Sequence, residues 1–148
     1  MIVLTGLVAG PAEAGVATAS AARPANGKIL FTKDRSGLGV LKIKNGNTKD
    51  AIVTLVRGKA KVVSLYIRAK NSASISAIDD GTYRVYYTAG YRYSGGKHRF
   101  TKSAIYRIFD TRLRYVTTST TFTRYTLTLY VVKGGNAKVS PVDPRKFP

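Results

Sequence analysis

The chain has 148 residues and a mass of 16.0 kDa, enough for one domain with a real core. Its 25 lysines and arginines stand against 7 acids, a net charge of +18, with 44% apolar residues and no cysteine. These totals exclude wholesale disorder, a disulfide framework and thiolate metal sites, and they favour polyanionic partners.

Residues 1–27 open with an apolar run, Ile2 to Ala9, then small residues, with Ala12-Glu13-Ala14 and Ala19-Ser20-Ala21 suited to a signal peptidase. The run is too short to span a bilayer, so the protein is not expected to be transmembrane. No basic stretch precedes it. The segment reads as an export signal without its start, or as an Ala/Gly-rich extension; the first reading places the protein in the secreted or envelope compartment. The fold is expected to begin near Lys28.

Beyond residue 28 no stretch repeats apolar residues at helical spacing. Glu13 is the only glutamate, glutamine is absent, and β-branched and aromatic residues are plentiful, which suits pleated strands. "LGVLKIK" (38–44) alternates, Leu41 and Ile43 to one side, Lys42 and Lys44 to the other. "NGN" (45–47) reads as a tight hairpin turn. "AIVTLVR" (51–57) and "VVSLYIRA" (62–69) follow, joined through Gly58. Then come "SISAI" (74–78), "TYRVYYT" (82–88), strands near Phe100, at 104–109 and 112–117, and a last, longest strand "TFTRYTLTLYVV" (121–132). The prolines of "PVDPRKFP" (141–148) keep that tail out of any central strand; it should lie extended on the surface, anchored by Phe147.

The pattern predicts an all-β antiparallel β-sandwich of about eight or nine strands over residues 28–140, with little or no helix. Alternation predicts a core of Leu41, Ile43, Ile52, Val63, Leu65, Ile67, Ile78, Tyr83, Val85, Leu113, Tyr115, Leu127, Leu129 and Val131. A slip of one residue would invert any of these faces.

Motifs that carry chemistry are thin. Asp79 and Asp80 are adjacent in "DDG", where Asp bonds nearby amides and Gly81 takes a conformation other residues avoid. A catalytic dyad instead needs carboxyls brought together across a cleft. His98 is the single histidine, set among cations, and no nucleophile elbow accompanies it. "GYRYSGGKH" lacks the first glycine, the hydroxyl residue and the following helix of a phosphate loop. "NGNTKD" lacks the carboxylates of a calcium loop. No catalytic residue, metal site or cofactor is therefore expected.

In "SISAIDDGTYRVYYTAGYRY" (74–93), Ile78 ends a strand, a turn with Gly81 follows, Tyr83 starts the next alternation, and Ala89-Gly90-Tyr91 repeats the glycine–aromatic step. Together with "DAIVTLV", this stretch of roughly residues 50–93 resembles transthyretin-like sandwich modules, including carboxypeptidase-regulatory-like and PEGA-type domains. The long final strand and tail also resemble small secreted bacterial sandwich proteins of unassigned activity. The resemblance implies an Ig-like or transthyretin-like sandwich used as an accessory or binding element, with no catalytic residues.

What remains is a basic, tyrosine-bearing strand face. Lys42, Lys44, Arg68, Arg84, Arg92, Arg99, Arg112, Arg114 and Arg124 are the candidate polyanion ligands; Tyr66, Tyr86, Tyr93 and Tyr130 are candidate stacking platforms. The expected partner is a cell-wall polymer, an acidic glycan or nucleic acid, bound without enzymatic chemistry. The alternatives are a solvated basic face, an envelope protein assembling through the Thr-rich stretch before residue 132, and a small secreted hydrolase.

Overall fold

A computed structural model describes residues 23–129 and 138–148. Within them the chain is an all-β sandwich, with one 3₁₀ turn (Pro144–Lys146) and no helix long and apolar enough to cross a membrane. Ten strands form: β1 (Ile29–Thr32), β2 (Gly39–Lys44), β3 (Asp50–Arg57), β4 (Ala60–Ile67), β5 (Ser72–Ile78), β6 (Gly81–Ser94), β7 (Arg99–Phe109), β8 (Leu113–Tyr115), β9 (Arg124–Thr128) and β10 (Val139–Pro141). The large sheet runs β10-β7-β6-β3-β4-β1, with β8 added to the start of β6; the small sheet runs β9-β2-β5.

The two inner faces share one core. Leu41, Ile43, Ile75, Ile78 and Leu127 of the small sheet meet Val53, Leu55, Val63, Leu65, Ile67, Tyr83, Val85 and Tyr87 of the large one, closed by Leu113, Tyr115 and Leu129. Tyr115 and Tyr83 pack edge to face with ring centroids 5.6 Å apart. Burial of these side chains is the main force holding the sheets together, at roughly 25 cal/mol per Å² of apolar surface.

Several expectations need correction. "NGN" makes no hairpin: β2 and β3 lie in different sheets, and Asn45 is buried at the crossover, donating to the carbonyls of Lys49 (2.9 Å) and Ile67 (3.2 Å). The sandwich is not wholly antiparallel, because β9 pairs with β2 in parallel. Ile52 is buried, but on the outer face; Ala51, Val53 and Leu55 supply the inner face of β3. The 121–132 strand is described only over Arg124–Thr128, as an edge beside β2, and the 14-residue β6 is longer. Tyr130 and Val131, like residues 1–22, lie outside the described residues.

Residues 23–27 belong to the fold rather than preceding it. Asn26 accepts from the Arg68 amide at 2.9 Å and donates to the Ser72 carbonyl at 2.8 Å, and the Gly27 amide bonds to Tyr66 O at 2.8 Å. The tail keeps to the edge as its prolines predict, Pro141 ending β10 and Phe147 packing on Tyr86 and Tyr106, but it is not extended throughout, since Pro144–Lys146 turn as a 3₁₀ helix capped by Asp143.

The adjacent aspartates serve different loops. Asp79 accepts from the Ser36 amide (3.0 Å), Asp80 from the Thr117 amide and hydroxyl (3.0 and 2.7 Å), and Gly81 sits at φ +148°, a region side chains avoid. They form a turn between sheets, with each carboxylate pinned to a separate segment.

Candidate functional site

The outer face of the large sheet is not a bare solvent face. Strand register lays two rows across it: Ser64, Thr54, Tyr86 and Ile108 in one, Tyr66, Ile52, Thr88 and Tyr106 in the next. Thr54, Ser64 and Thr88 are at most 5% exposed, so something covers them.

Over Tyr66 and Ile52 the cover is the outer half of the β6–β7 hairpin. Its ladder shifts register between Ala89 and Tyr91, and Arg92 and Ser103 adopt left-handed φ of 55° and 52°, the geometry of a bulge that bends both strands. Gly90 permits the bend, since a Cβ there would lie 2.7 Å from Phe100 Cβ and 3.1 Å from Lys102 O. The bent arm brings Tyr93 and Phe100 down onto Tyr66, with centroids 5.5 and 5.9 Å away, and onto Ile52.

A polar clip braces one side. Asp50 accepts from Arg23 Nε and Nη2 (2.6 Å each), Tyr66 Oη (2.6 Å) and the Ala69 amide (2.8 Å). Burial alone would raise the Asp50 pKa, but the bonds from Arg23, Tyr66 and Ala69 outweigh it and hold the carboxyl below the usual range. Burial, then the Asp50 carboxylate, pushes the Tyr66 phenol well up, so it stays a donor. With four donors this carboxylate is a structural brace with no lone pair left for proton transfer.

Between arm, tail and sheet lies a cavity of about 490 Å³. Thr54, Ser64 and Thr88 floor it; Phe31, Tyr93, Tyr106 and Phe147 wall it; Lys61, Lys97, His98 and Arg99 stand around it, and no aspartate or glutamate side chain lines it. Lys61 Nζ lies 4.6 Å from the Phe31 ring centroid, a cation–π contact that fixes the ammonium. Thr54 and Ser64 hydroxyls bond each other, whereas Thr88 Oγ1 is the one buried side-chain polar atom without a partner among the described residues. A second cavity, about 750 Å³, shares Tyr93 and Lys97 with the first and adds Tyr91 and Arg92.

The candidates read from sequence do not share one wall. Lys42, Lys44 and Arg124 stand on the outer face of the small sheet beside Ser72, Ser74 and Thr126. Arg84 and Arg114 are on the opposite side of the sandwich, with Arg112 in the turn before β8. Arg92 and Arg99 belong to the arm. Arg68 is turned inward along the chain, donating to Pro24 O at 2.8 Å, so it holds the N-terminal segment.

Among the stacking candidates, Tyr93 lines both cavities, and Tyr86 is taken up by Phe147. Tyr66 is a correction: at 1% exposure its ring is core, because β4 is covered on both faces. Thr54, Ser64, Thr88, Lys61 and Phe31 had no sequence signal of their own. A hydroxyl in the middle of an apolar strand, as in "AIVTLV", is the closest thing to one.

Two ion pairs occur among the described residues, Arg23–Asp50 and Arg145–Asp143. Asp110 accepts from Ser140 Oγ at 2.5 Å, so the acids are largely engaged in holding loops. No group of His, Asp or Glu among the described residues could hold a metal ion. No protein-family model, curated protein or solved structure matches the chain.

Proposed function

We propose that this protein is a non-enzymatic binding module for acidic polymers, acting outside the cytoplasm. The observation that carries the reading is the separation of charges: 25 basic residues face 7 acids, and two ion pairs form among the described residues. The cations are thus left to a partner. On the small sheet, Lys42 and Lys44 stand two positions apart, hence roughly 6.6 Å along the strand. Arg124 lies on the neighbouring strand, with hydroxyls between. A flat row of this kind suits a chain with regularly spaced anionic groups, and its binding would release counterions and weaken with salt. The export-type composition of Ile2–Ala21 supports the compartment.

The test is retention on heparin against a sulfonate exchanger of equal charge density. The reading expects elution from heparin at higher salt, and a shift to lower salt in Lys42→Gln/Lys44→Gln/Arg124→Gln. Equal elution from both matrices would reduce the charge to solubility.

A second reading, self-association, is favoured by the position of β9 and β5 at the edges of the small sheet. Concentration-dependent size in gel filtration at high salt would support it.

A further inference from the structure

We propose that the cavity under the β6–β7 arm is a subsite for a single pyranose ring carrying a carboxylate or sulfate. This rests on the acidic-polymer reading and names the polymer as an acidic polysaccharide.

Three features define the occupant. The volume, about 490 Å³, takes one ring with its substituents. The floor presents hydroxyls, which both donate and accept, the complement of a sugar's own hydroxyls. Thr88 Oγ1 is buried there without a partner, and a ligand hydroxyl settling on the floor would supply it. Aromatic walls from Tyr93, Tyr106 and Phe147 suit the apolar face of a sugar ring, and Lys61, Lys97 and Arg99 at the margin meet its anion with no opposing aspartate or glutamate.

A nucleotide is the competing occupant, because the Thr, Ser, Lys and Arg side chains of this lining can also meet a base edge, and uridine monophosphate is therefore one arm of the test. Tyr93 and Lys97 also line the neighbouring cavity, so a chain leaving the first subsite passes over them into a second, where Arg92 waits. The site is then a chain-binding groove with Tyr93 as the partition between rings.

Isothermal titration of the full chain with digalacturonate, a heparin-derived disaccharide, digalactose and uridine monophosphate tests this. One or both acidic disaccharides should bind, which tells carboxylate from sulfate, with digalactose about tenfold weaker. Lys97→Ala and Thr88→Val should each weaken binding about fivefold or more, and Thr88→Ser should restore it. Thr88→Val loses no folded-state hydrogen bond, so its thermal midpoint should hold, which separates ligand contact from scaffold damage. The Lys42/Lys44/Arg124 variant should bind the disaccharide as the parent does. Unchanged binding in Thr88→Val and Lys97→Ala, or tighter binding of uridine monophosphate, overturns the subsite. If disaccharides fail while heparin retention persists, the subsite falls and the polymer reading stands; if both fail, both fall.

Discussion

The Thr54 and Ser64 hydroxyls lie 2.8 Å apart on facing positions of β3 and β4, each the other's partner beneath the arm. Removing one leaves the other without its partner at a position at most 5% exposed. Thr54→Val and Ser64→Ala should therefore each lower stability by about 1–2 kcal/mol. The double variant should lose less than the sum, with a coupling of about 1 kcal/mol in urea titrations. Strict additivity would mean that the two hydroxyls do not depend on each other.

The Asp50 clip makes stability fall in acid. Its carboxyl titrates below the ordinary value of 3.8 when folded, so its contribution is present above that value and lost as pH drops through the lower, folded one. Asp50→Asn should cost about 2 kcal/mol at pH 7. Its urea midpoint should also change less than the parent's between neutral pH and about pH 3. Parallel pH profiles for the two proteins would assign the acid sensitivity elsewhere.

Gly90 is where the arm folds over. Gly90→Ala forces a methyl against Phe100 Cβ at 2.7 Å and Ala104 Cα at 3.1 Å, neither of which can turn aside as a flexible side-chain end would. The expected loss is about 1–3 kcal/mol, with faster amide exchange at Tyr93 and Phe100 than in the parent. Unaltered exchange there would show that the bend has slack.

Phe147 fastens the tail edge-on to Tyr86 and Tyr106, with centroids at 5.8 and 5.3 Å. Phe147→Ala should release the tail to proteolysis while lowering global stability by only about 1 kcal/mol. It should also open one wall of the cavity and weaken disaccharide binding. A tail as resistant as the parent's would locate its anchor in β10 instead.

Much of the core was legible because half-covered strands alternate. Leu41 and Ile43 against Lys42 and Lys44, or Tyr83 and Val85 against Arg84, declare their faces. The central strands gave no such contrast. Ala51 through Val56 are all buried, so alternation cannot say which of Ile52 and Val53 faces the small sheet. Tyr66 does lie on the outer face, as alternation reads it, but nothing local in the sequence announces that Tyr93 and Phe100 cover it there. The cavity was invisible for a further reason. It depends on a bend with left-handed arginine and serine, residues that ordinarily signal nothing of the kind, and on a tail that reaches back from the far end of the chain. The cations were countable, but which wall each one joins follows from strand order, and strand order is a matter of pairing between distant segments.

The parallel neighbour of β2 also governs how the molecule assembles. Hairpins β3–β4 and β6–β7 close locally, whereas β9 arrives only after nearly the whole large sheet has been synthesised. Contacts so remote in sequence form slowly, because the intervening chain must be ordered first. Until then Leu41 and Ile43 have a greasy, open flank on the side where Leu127 will sit. Apolar flanks of that kind favour association between incomplete chains, and a net charge of +18 opposes it.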